Sequence, residues 1–225
     1  MTEIERTVLR FHRRITVDPH HRYRSWGHCH KFFQNRQRLR AEMDLDLCAL
    51  QLGFYLASWG MYRGSSFLLW KDYKIHRYAI REVLRPEYDS LLLLDCDSAE
   101  ASAMAIPRIL ALADAIRNAY VTHIKTVDGE RENIDITDTL VTKIILAVLA
   151  CTPAYDTYVI EGIRDAGIPF SRLNERHLTA LFDFYRDHAD AFKSVRRRIS
   201  EAGMRYPLMK LLDMYFWERG RKLSE

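Results

Sequence analysis

Apolar residues recur at intervals of three and four along most of the chain, and few segments alternate between apolar and polar residues as strands do. The clearest periodic segment covers residues 44–59. Its apolar positions are Leu45, Cys48, Leu52, Tyr55, Leu56 and Trp59. Such a stripe forms one face of an amphipathic helix, and the same spacing in later segments predicts an all-α fold.

Glycine, proline and capping residues divide the rest of the chain into further helices. The predicted helices cover residues 61–70, 75–84, 98–124, 139–151, 157–166, 175–186, 188–202 and 208–218. The first of these is expected to be broken by Gly64-Ser65-Ser66. Pro107 indicates a start or a kink in the longest of them, because proline removes a hydrogen bond from a helix interior. Pro153 is expected to close helix 139–151, which follows the polar segment 126–138. The leucine run at 91–94 fits either a short strand or a buried helix.

The composition is that of a soluble globular protein, since 48% of the 225 residues are apolar and 28% are charged. The first residues are charged and show no signal-peptide pattern, and the longest apolar stretch, residues 140–151, is too short to span a bilayer. Four scattered cysteines without a CxxC pair are typical of reduced thiols. We therefore expect one domain, residues 1–225, that is cytoplasmic and makes no membrane contact.

Positive charge is concentrated at the start of the chain. The net charge is +4, but residues 1–40 hold nine arginines and one lysine against three acidic residues, together with five histidines. An arginine-rich segment of this kind suits a phosphate-rich partner. The alternative is a solvated basic arm without a specific partner.

A second basic cluster lies near the end of the chain. It consists of Arg196, Arg197, Arg198 and Arg205, with Lys210 beyond it. Contact with DNA phosphates is the functional interpretation. A solvated helix face is the structural alternative.

Asp156 raises the main question about chemistry. It follows Pro153 by three residues in the stretch LACTPAYDTYVIEGI, at the start of predicted helix 157–166. Aspartate is a preferred N-cap residue because its side chain accepts a hydrogen bond from an unpaired amide one turn later. The local pattern is explained by capping alone, and it also fits a carboxylate that is placed for catalysis.

Three features follow one another in this region. They are a predicted helix that carries Thr142-Lys143, a turn that contains a proline, and the segment Tyr155–Val159. This order resembles the helix-hairpin-helix DNA glycosylase superfamily over about residues 126–170. In that superfamily an aspartate in a D-[TGS]-x-V-like segment caps a helix at the mouth of the active-site cleft. The resemblance implies an all-α fold with two helical lobes and a cleft between them. The expected lobes are residues 1–97 and 98–225, and the second carries a hairpin-like unit at 126–166.

The resemblance also implies an activity, the excision of a flipped-out base from double-stranded DNA. Asp156 would stabilise the positive charge that develops on the deoxyribose and orient the attacking water. The lyase-competent branch keeps a nucleophilic lysine where Lys143 stands, although a monofunctional glycosylase is the preferred expectation. Neither a cofactor nor an obligate protein partner is expected. The small size and the absence of an iron–sulfur signature are similar to phage-defence glycosylases that excise modified cytosines, such as glucosylated hydroxymethylcytosine.

The segment 57–70 supplies most of the candidate pocket residues. Trp59 and Tyr62 offer stacking faces, while Arg63, Ser65 and Ser66 offer hydrogen-bond donors. A tightly packed pair of core helices is the structural alternative for this segment.

Three further pocket candidates come from elsewhere. They are Tyr155, Trp26 and His28. The adjacent residues His28, Cys29 and His30 lack the spacing of zinc ligands and a second ligand pair, so no metal site is predicted.

Two other functions remain open. The strings Arg117–His123 and Arg172–His177 are similar to the Arg-x₄₋₆-His element of the HEPN ribonucleases, which cut RNA without a metal. A non-catalytic nucleic-acid-binding module, in which Asp156 is only a cap, is the third possibility.

Overall fold

The computed structural model describes residues 1–42, 44–92, 94, 96–126, 134–200 and 205–224. Within these ranges the chain forms eleven α-helices and no strand, which confirms the predicted all-α class. The helices are α1 Glu3–Val17, α2 Ser25–Phe33, α3 Arg36–Glu42, α4 Leu45–Ser58, α5 His76–Val83, α6 Ala99–His123, α7 Asp138–Val148, α8 Thr157–Asp165, α9 Glu175–Asp187, α10 Ala189–Ser200 and α11 Leu208–Leu223. Short 3₁₀ turns lie at Arg22–Arg24, Phe67–Trp70, Tyr73–Ile75 and Pro86–Leu91.

Parts of the sequence predictions lie outside the described residues. These parts are residues 127–133 of the hairpin-like unit, position 93 of the leucine run and the predicted end of helix 188–202.

The arginine-rich start of the chain is helical and packs on the core, so it is not a free arm, and contact with a phosphate-rich partner stays a prediction. Helix α1 begins at a capping box, in which the Thr2 hydroxyl accepts from the Glu5 amide and the Glu5 carboxylate accepts from the Thr2 amide. Its apolar face is buried in the core and consists of Ile4, Val8, Phe11 and Ile15. The basic side chains therefore project from a helix that is held in place by its apolar face.

The predicted end of helix 139–151 is wrong for a local reason, and the structure decides the role of Pro107. Helix α7 ends at Val148, before Pro153, because Ala150 adopts a left-handed conformation with φ of 52° and donates to the Ile145 carbonyl. Helix α6 begins at Ala99 after the Ser98 cap, so Pro107 lies inside it and does not start it.

The predicted helix 61–70 is reduced to the 3₁₀ turn Phe67–Trp70. Residues 61–66 form an irregular loop, with Gly60 at φ of 76° and Gly64 at φ of 61°. These left-handed conformations interrupt a helix and are accessible to glycine at little cost.

The helices surround one connected hydrophobic core that draws on residues from both halves of the chain. Helix α1 packs against α10 and α11, while α4 packs against α2, α5 and α7. The division into lobes at residue 97 stays a prediction, and α1 lies against helices of the second predicted lobe.

Helix α8, which begins directly after Asp156, crosses α11 at very short range. Gly162 of α8 lies against the backbone of Phe216, and Gly220 of α11 lies against the backbone of Tyr158. A β-carbon at either glycine would overlap those backbone atoms, so only glycine permits this crossing. The crossing sets the position of the start of α8 and therefore of Asp156.

Two buried histidines are held in the neutral form. His76 lies between two tyrosines, with Nε2 2.6 Å from the Tyr62 hydroxyl and Nδ1 2.6 Å from the Tyr120 hydroxyl. Burial lowers the pKa of His76 to about 3. Burial likewise lowers the pKa of His30 to about 4, although its Nδ1 bonds the Ala147 carbonyl.

These two histidines predict a loss of stability in mild acid. The unfolded chain takes up a proton at each histidine near pH 6.5, whereas the folded chain does so only near pH 4 or pH 3. Stability therefore falls as the pH drops below 6.5, and at pH 5 each histidine should have cost about 2 kcal/mol relative to pH 7.5. Urea unfolding of the wild type at both pH values measures the total.

The variants His76→Gln and His20→Gln assign this loss. His20 is exposed, so its replacement should leave the difference between the two pH values unchanged. The His76 variant, although less stable overall, should lose about 2 kcal/mol of that difference. A pH dependence that is the same in the wild type and in His76→Gln would contradict the assignment.

Candidate functional site

A cavity with a volume of about 1120 Å³ opens at the start of α8 and is called the first cavity below. Its walls come from α1, the turn Arg22–Arg24, the loop that follows α4, and helices α7, α8 and α11. Its cationic lining residues are Arg14, Arg22, Arg63, Lys143 and Arg221. Against these, the acidic residues among the described lining are Asp135 and Asp156. Arg14 and Arg221 both pair with the buried Glu218, and Lys143 pairs with Asp156. The positive charge that faces the cavity therefore comes mainly from Arg22 and Arg63, which suit an anionic ligand.

Lys143 and Asp156 form an ion pair in the wall of this cavity. Lys143 Nζ lies 2.9 Å from Asp156 Oδ2. The other carboxylate oxygen, Oδ1, accepts from the Val159 amide at 3.1 Å and so caps α8. Asp156 is thus a cap and also one partner of a side-chain pair.

The two members of this pair differ in exposure. The side chain of Lys143 is 2% exposed, whereas that of Asp156 is 21% exposed. A molecule bound in the cavity can therefore reach the Asp156 carboxylate. Lys143 contacts the same carboxylate from the side that faces the core. Two fixed hydrogen bonds give the carboxylate a defined position, which is a requirement for electrostatic catalysis.

An aromatic wall lies beside the ion pair. The Trp59 ring stacks on Tyr23, with centroids 4.2 Å apart, and Lys143 Nζ lies 5.1 Å from the Trp59 centroid. Trp217 and Tyr158 pack edge to face, with centroids 5.4 Å apart, and also line the cavity. The Trp59 ring is thus occupied by Tyr23 and by the ammonium groups of Lys143 and Lys210, and it forms a fixed wall of the cavity. Aromatic rings next to cationic groups are typical of sites for a nucleobase with its phosphates.

A second ion pair supports the first from within the core. Lys210 Nζ lies 2.6 Å from Asp213 Oδ2, and Asp213 Oδ1 accepts from the Ala154 amide at 3.0 Å. Burial lowers the pKa of Lys210, and the Asp213 charge opposes that shift. Because Ala154 lies in the turn that leads to Asp156, this buried pair fixes the approach of the chain to the cavity.

The structure brings six of the predicted site residues together around the first cavity. They are Lys143, Asp156, Trp59, Arg63, Ser65 and Ser66. Two other candidates lie elsewhere. Tyr62 bonds His76, and Tyr155 is fully buried with its ring against Phe170 and His177. Tyr155 faces the core because its amide donates to the Thr142 hydroxyl, which turns the chain at that point.

A second cavity, of about 630 Å³, takes most of the remaining candidates. Trp26, His28, Arg196 and Arg205 line it. Arg197 and Arg198 are exposed and line neither cavity.

Sequence reasoning missed several residues of the first cavity. The missed residues are Arg14, His21, Arg22, Tyr23, Tyr158, Trp217 and Arg221. The alternation of cationic and aromatic residues in Arg22-Tyr23-Arg24 could have indicated a binding site for a nucleotide, which is both aromatic and anionic. Trp217 and Arg221 carried no such signal, because only the packing of α11 brings them to the cavity.

Three of the four Arg and His residues of the two HEPN-like strings make contacts outside the first cavity, and the fourth, Arg172, is exposed and does not line it. Arg117 pairs with Asp114 and Asp138, and the His123 ring stacks on Tyr78 with centroids 3.7 Å apart. His177 is buried, and its Nδ1 bonds the Pro169 carbonyl at 3.1 Å.

The residues considered for zinc do not form a ligand set. Cys29 and His30 are buried, while His28 is exposed. In the described part of the chain, no group of three or more histidine, cysteine or acidic residues is arranged to hold a metal ion. All four cysteines are buried.

Comparisons with models of known protein families, with curated proteins and with solved structures find no match to this chain. None of the described helices is long and apolar enough to cross a membrane. The geometry of the first cavity is therefore the basis on which a function can be assigned.

Proposed function

We propose that this chain is a DNA N-glycosylase whose catalytic carboxylate is Asp156. The observation that carries the proposal is the Lys143–Asp156 pair, with its 2.9 Å contact, in the wall of a basic and partly aromatic cavity. A carboxylate that is fixed by two hydrogen bonds and exposed to a cavity of about 1120 Å³ can lie beside the sugar of a bound nucleotide.

The chemistry of base release requires a negative charge at this position. As the C1′–N bond breaks, its electron pair leaves with the base and positive charge develops on the deoxyribose. Asp156 stabilises that charge and accepts the proton that the attacking water loses as the new C1′–O bond forms. The departing base takes up a proton, so the net reaction adds one water molecule across the glycosidic bond.

Lys143 acts as a positioning residue in this proposal. It donates from a nearly buried site to Oδ2 of Asp156, so its ammonium is engaged in an ion pair and is not a free nucleophile. We therefore propose a monofunctional enzyme that leaves an abasic site. An imine with the sugar would require Lys143 first to lose its proton and to break this pair.

The lining residues fit an extruded nucleotide. Trp59 and Tyr23 provide an aromatic wall, and arginines at the cavity, such as Arg22 and Arg63, can bind the flanking phosphates. The cavity draws on residues 14–67 and 134–221, so the proposed cleft lies between elements of the two predicted lobes.

We further propose a bulky modified base, such as glucosylated hydroxymethylcytosine, as the substrate, and antiviral defence in the cytoplasm as the role. A base that carries a sugar needs more space and more polar partners than an unmodified base. The cavity volume and the donors Arg63, Ser65 and Ser66 support this choice.

The proposal is tested by incubating the protein with modified and with unmodified phage DNA. Mass spectrometry of the released bases, with an aldehyde-reactive probe for abasic sites, should detect release from the modified DNA and no adduct after borohydride treatment. A borohydride-trapped adduct would make the enzyme a lyase that uses Lys143. Cleavage of RNA without release of any base would favour the ribonuclease alternative, and DNA binding without release would favour a binding module.

A further inference from the structure

The second cavity combines three features that favour a bound anion. Five cationic side chains line it, namely Arg24, Lys31, Arg196, Arg205 and Lys210. None of the described residues in its lining is acidic. One of the five, Lys210, is neutralised by Asp213, which leaves four cations that face about 630 Å³ of space. Of these four, Arg196 also interacts with the carboxylate of Asp97, so Arg24, Lys31 and Arg205 carry most of the positive charge.

The third feature is the start of α11. Pro207 precedes this helix, provides no side-chain cap, and lines the second cavity together with Leu208. The first amides of a helix carry partial positive charge and bind anions such as phosphate when no side chain caps them. The helix end and the four cations therefore act on the same space.

Trp26, the tryptophan of this cavity, does not offer an open stacking face. Trp26 is buried between His30 and Tyr206, with ring centroids 4.9 Å and 5.9 Å away. Both faces of its ring are thus covered. The cavity is suited to the phosphate group of a ligand and not to its base.

A ridge with an arginine on each side separates the two cavities. Tyr23, in the turn Arg22–Arg24, lines both of them. Arg22 lines the first cavity, with its guanidinium 4.8 Å from the Tyr23 ring, and Arg24 lines the second. A polyanion that crosses Tyr23 would meet positive charge on both sides.

We propose that the second cavity binds the phosphodiester backbone of a nucleic-acid strand whose neighbouring nucleotide occupies the first cavity. The strand crosses the Arg22–Arg24 ridge, so binding depends on cations of both cavities. The inference rests on the proposed function for its choice of DNA as the polyanion and for the nucleotide in the first cavity.

The test compares two double variants with the same change in charge. Lys31→Glu with Arg205→Glu alters exposed residues of the second cavity, and Lys74→Glu with Arg81→Glu alters exposed residues that line neither cavity. Fluorescence anisotropy with a labelled DNA duplex at several salt concentrations measures affinity and its salt dependence. The first variant should bind at least about tenfold more weakly and should lower the salt slope by about 2, one for each lost phosphate contact. The second should change affinity by less than about threefold.

Three results would overturn the inference. The first is an equal loss of DNA affinity in both variants, and the second is a loss in neither. The third is that the first variant binds inorganic pyrophosphate more weakly while the two variants bind DNA equally. The last result would make the cavity a site for a small anion.

A base-release assay on the same samples separates this inference from the proposed function. If the wild type releases no base but only the first variant loses DNA affinity, the proposed function fails and the second site stands. If bases are released and the two variants bind DNA equally, the second site fails and the proposed function stands.

Discussion

Replacing Asp156 with asparagine is expected to lower the rate of base release by roughly a thousand-fold, because the charge that stabilises the sugar cation is lost. The fold should persist, since asparagine is also a good N-cap and can still accept from the Val159 amide. DNA affinity should change little, because the arginines of the cavity remain. Single-turnover release of the base, measured together with DNA binding by anisotropy, gives both quantities.

Asp44→Asn is a matched control for this variant. Asp44 caps α4 in the same way, accepting from the Leu47 amide at 2.9 Å, and it does not line the first cavity. The control should keep wild-type release. Asp156→Asn leaves the ammonium group of Lys143 without its ionic partner, which can lower the stability of the fold. Thermal unfolding of both variants measures that loss of stability. Equal rates in Asp156→Asn and in the wild type would leave Asp156 as a cap without a catalytic role.

Replacing Gly162 with alanine is expected to destabilise the protein by about 3 kcal/mol or more. Alanine normally favours a helix over glycine by roughly 1 kcal/mol, so the crossing has to outweigh a gain in helix propensity. It does so because the new β-carbon would overlap the carbonyl of Phe216, which belongs to the backbone of α11 and cannot rotate away. Relief requires that α8 moves, and Asp156 moves with it.

Gly167→Ala separates this overlap from the general effect of the substitution. Gly167 lies just after α8 at φ of 78°, and nothing occupies the space that its β-carbon would enter. Its replacement should cost only the left-handed backbone strain, about 1 kcal/mol. Urea unfolding measures both variants. An equal loss at the two positions would show that the α8–α11 crossing tolerates a β-carbon.

The helices with strong local signals were predictable from the sequence. Asp156 and Gly167 bracket α8, and Asn174 caps α9, close to where the sequence places those boundaries. Such signals act within one turn of the helix that they limit, so they do not depend on the rest of the fold. The first helix was missed because arginines interrupt the apolar stripe of α1, although Thr2 and Glu5 form a capping box.

The site was predictable only where it follows from one local segment. Asp156 was found from its own position at the start of a helix, and the loop residues after α4 were found because they lie close to one another in the sequence. The pairing of Lys143 with Asp156 depends on a left-handed turn at Ala150, and alanine gives no sequence signal of such a turn as glycine would. Tyr23 and Trp217 reach the cavity through packing between distant helices, which no single segment specifies.

The most direct test of the role of Asp156 uses DNA that carries a cationic azasugar in place of one deoxyribose, compared with a neutral tetrahydrofuran at the same position. The azasugar imitates the charge that develops at C1′, and analogues of a transition state bind at least about a hundredfold more tightly than substrates do. The wild type is predicted to prefer the azasugar DNA by that factor, and Asp156→Asn is predicted to lose the preference. Equal affinity of the wild type for the two DNAs would contradict the assignment of a cation-stabilising carboxylate.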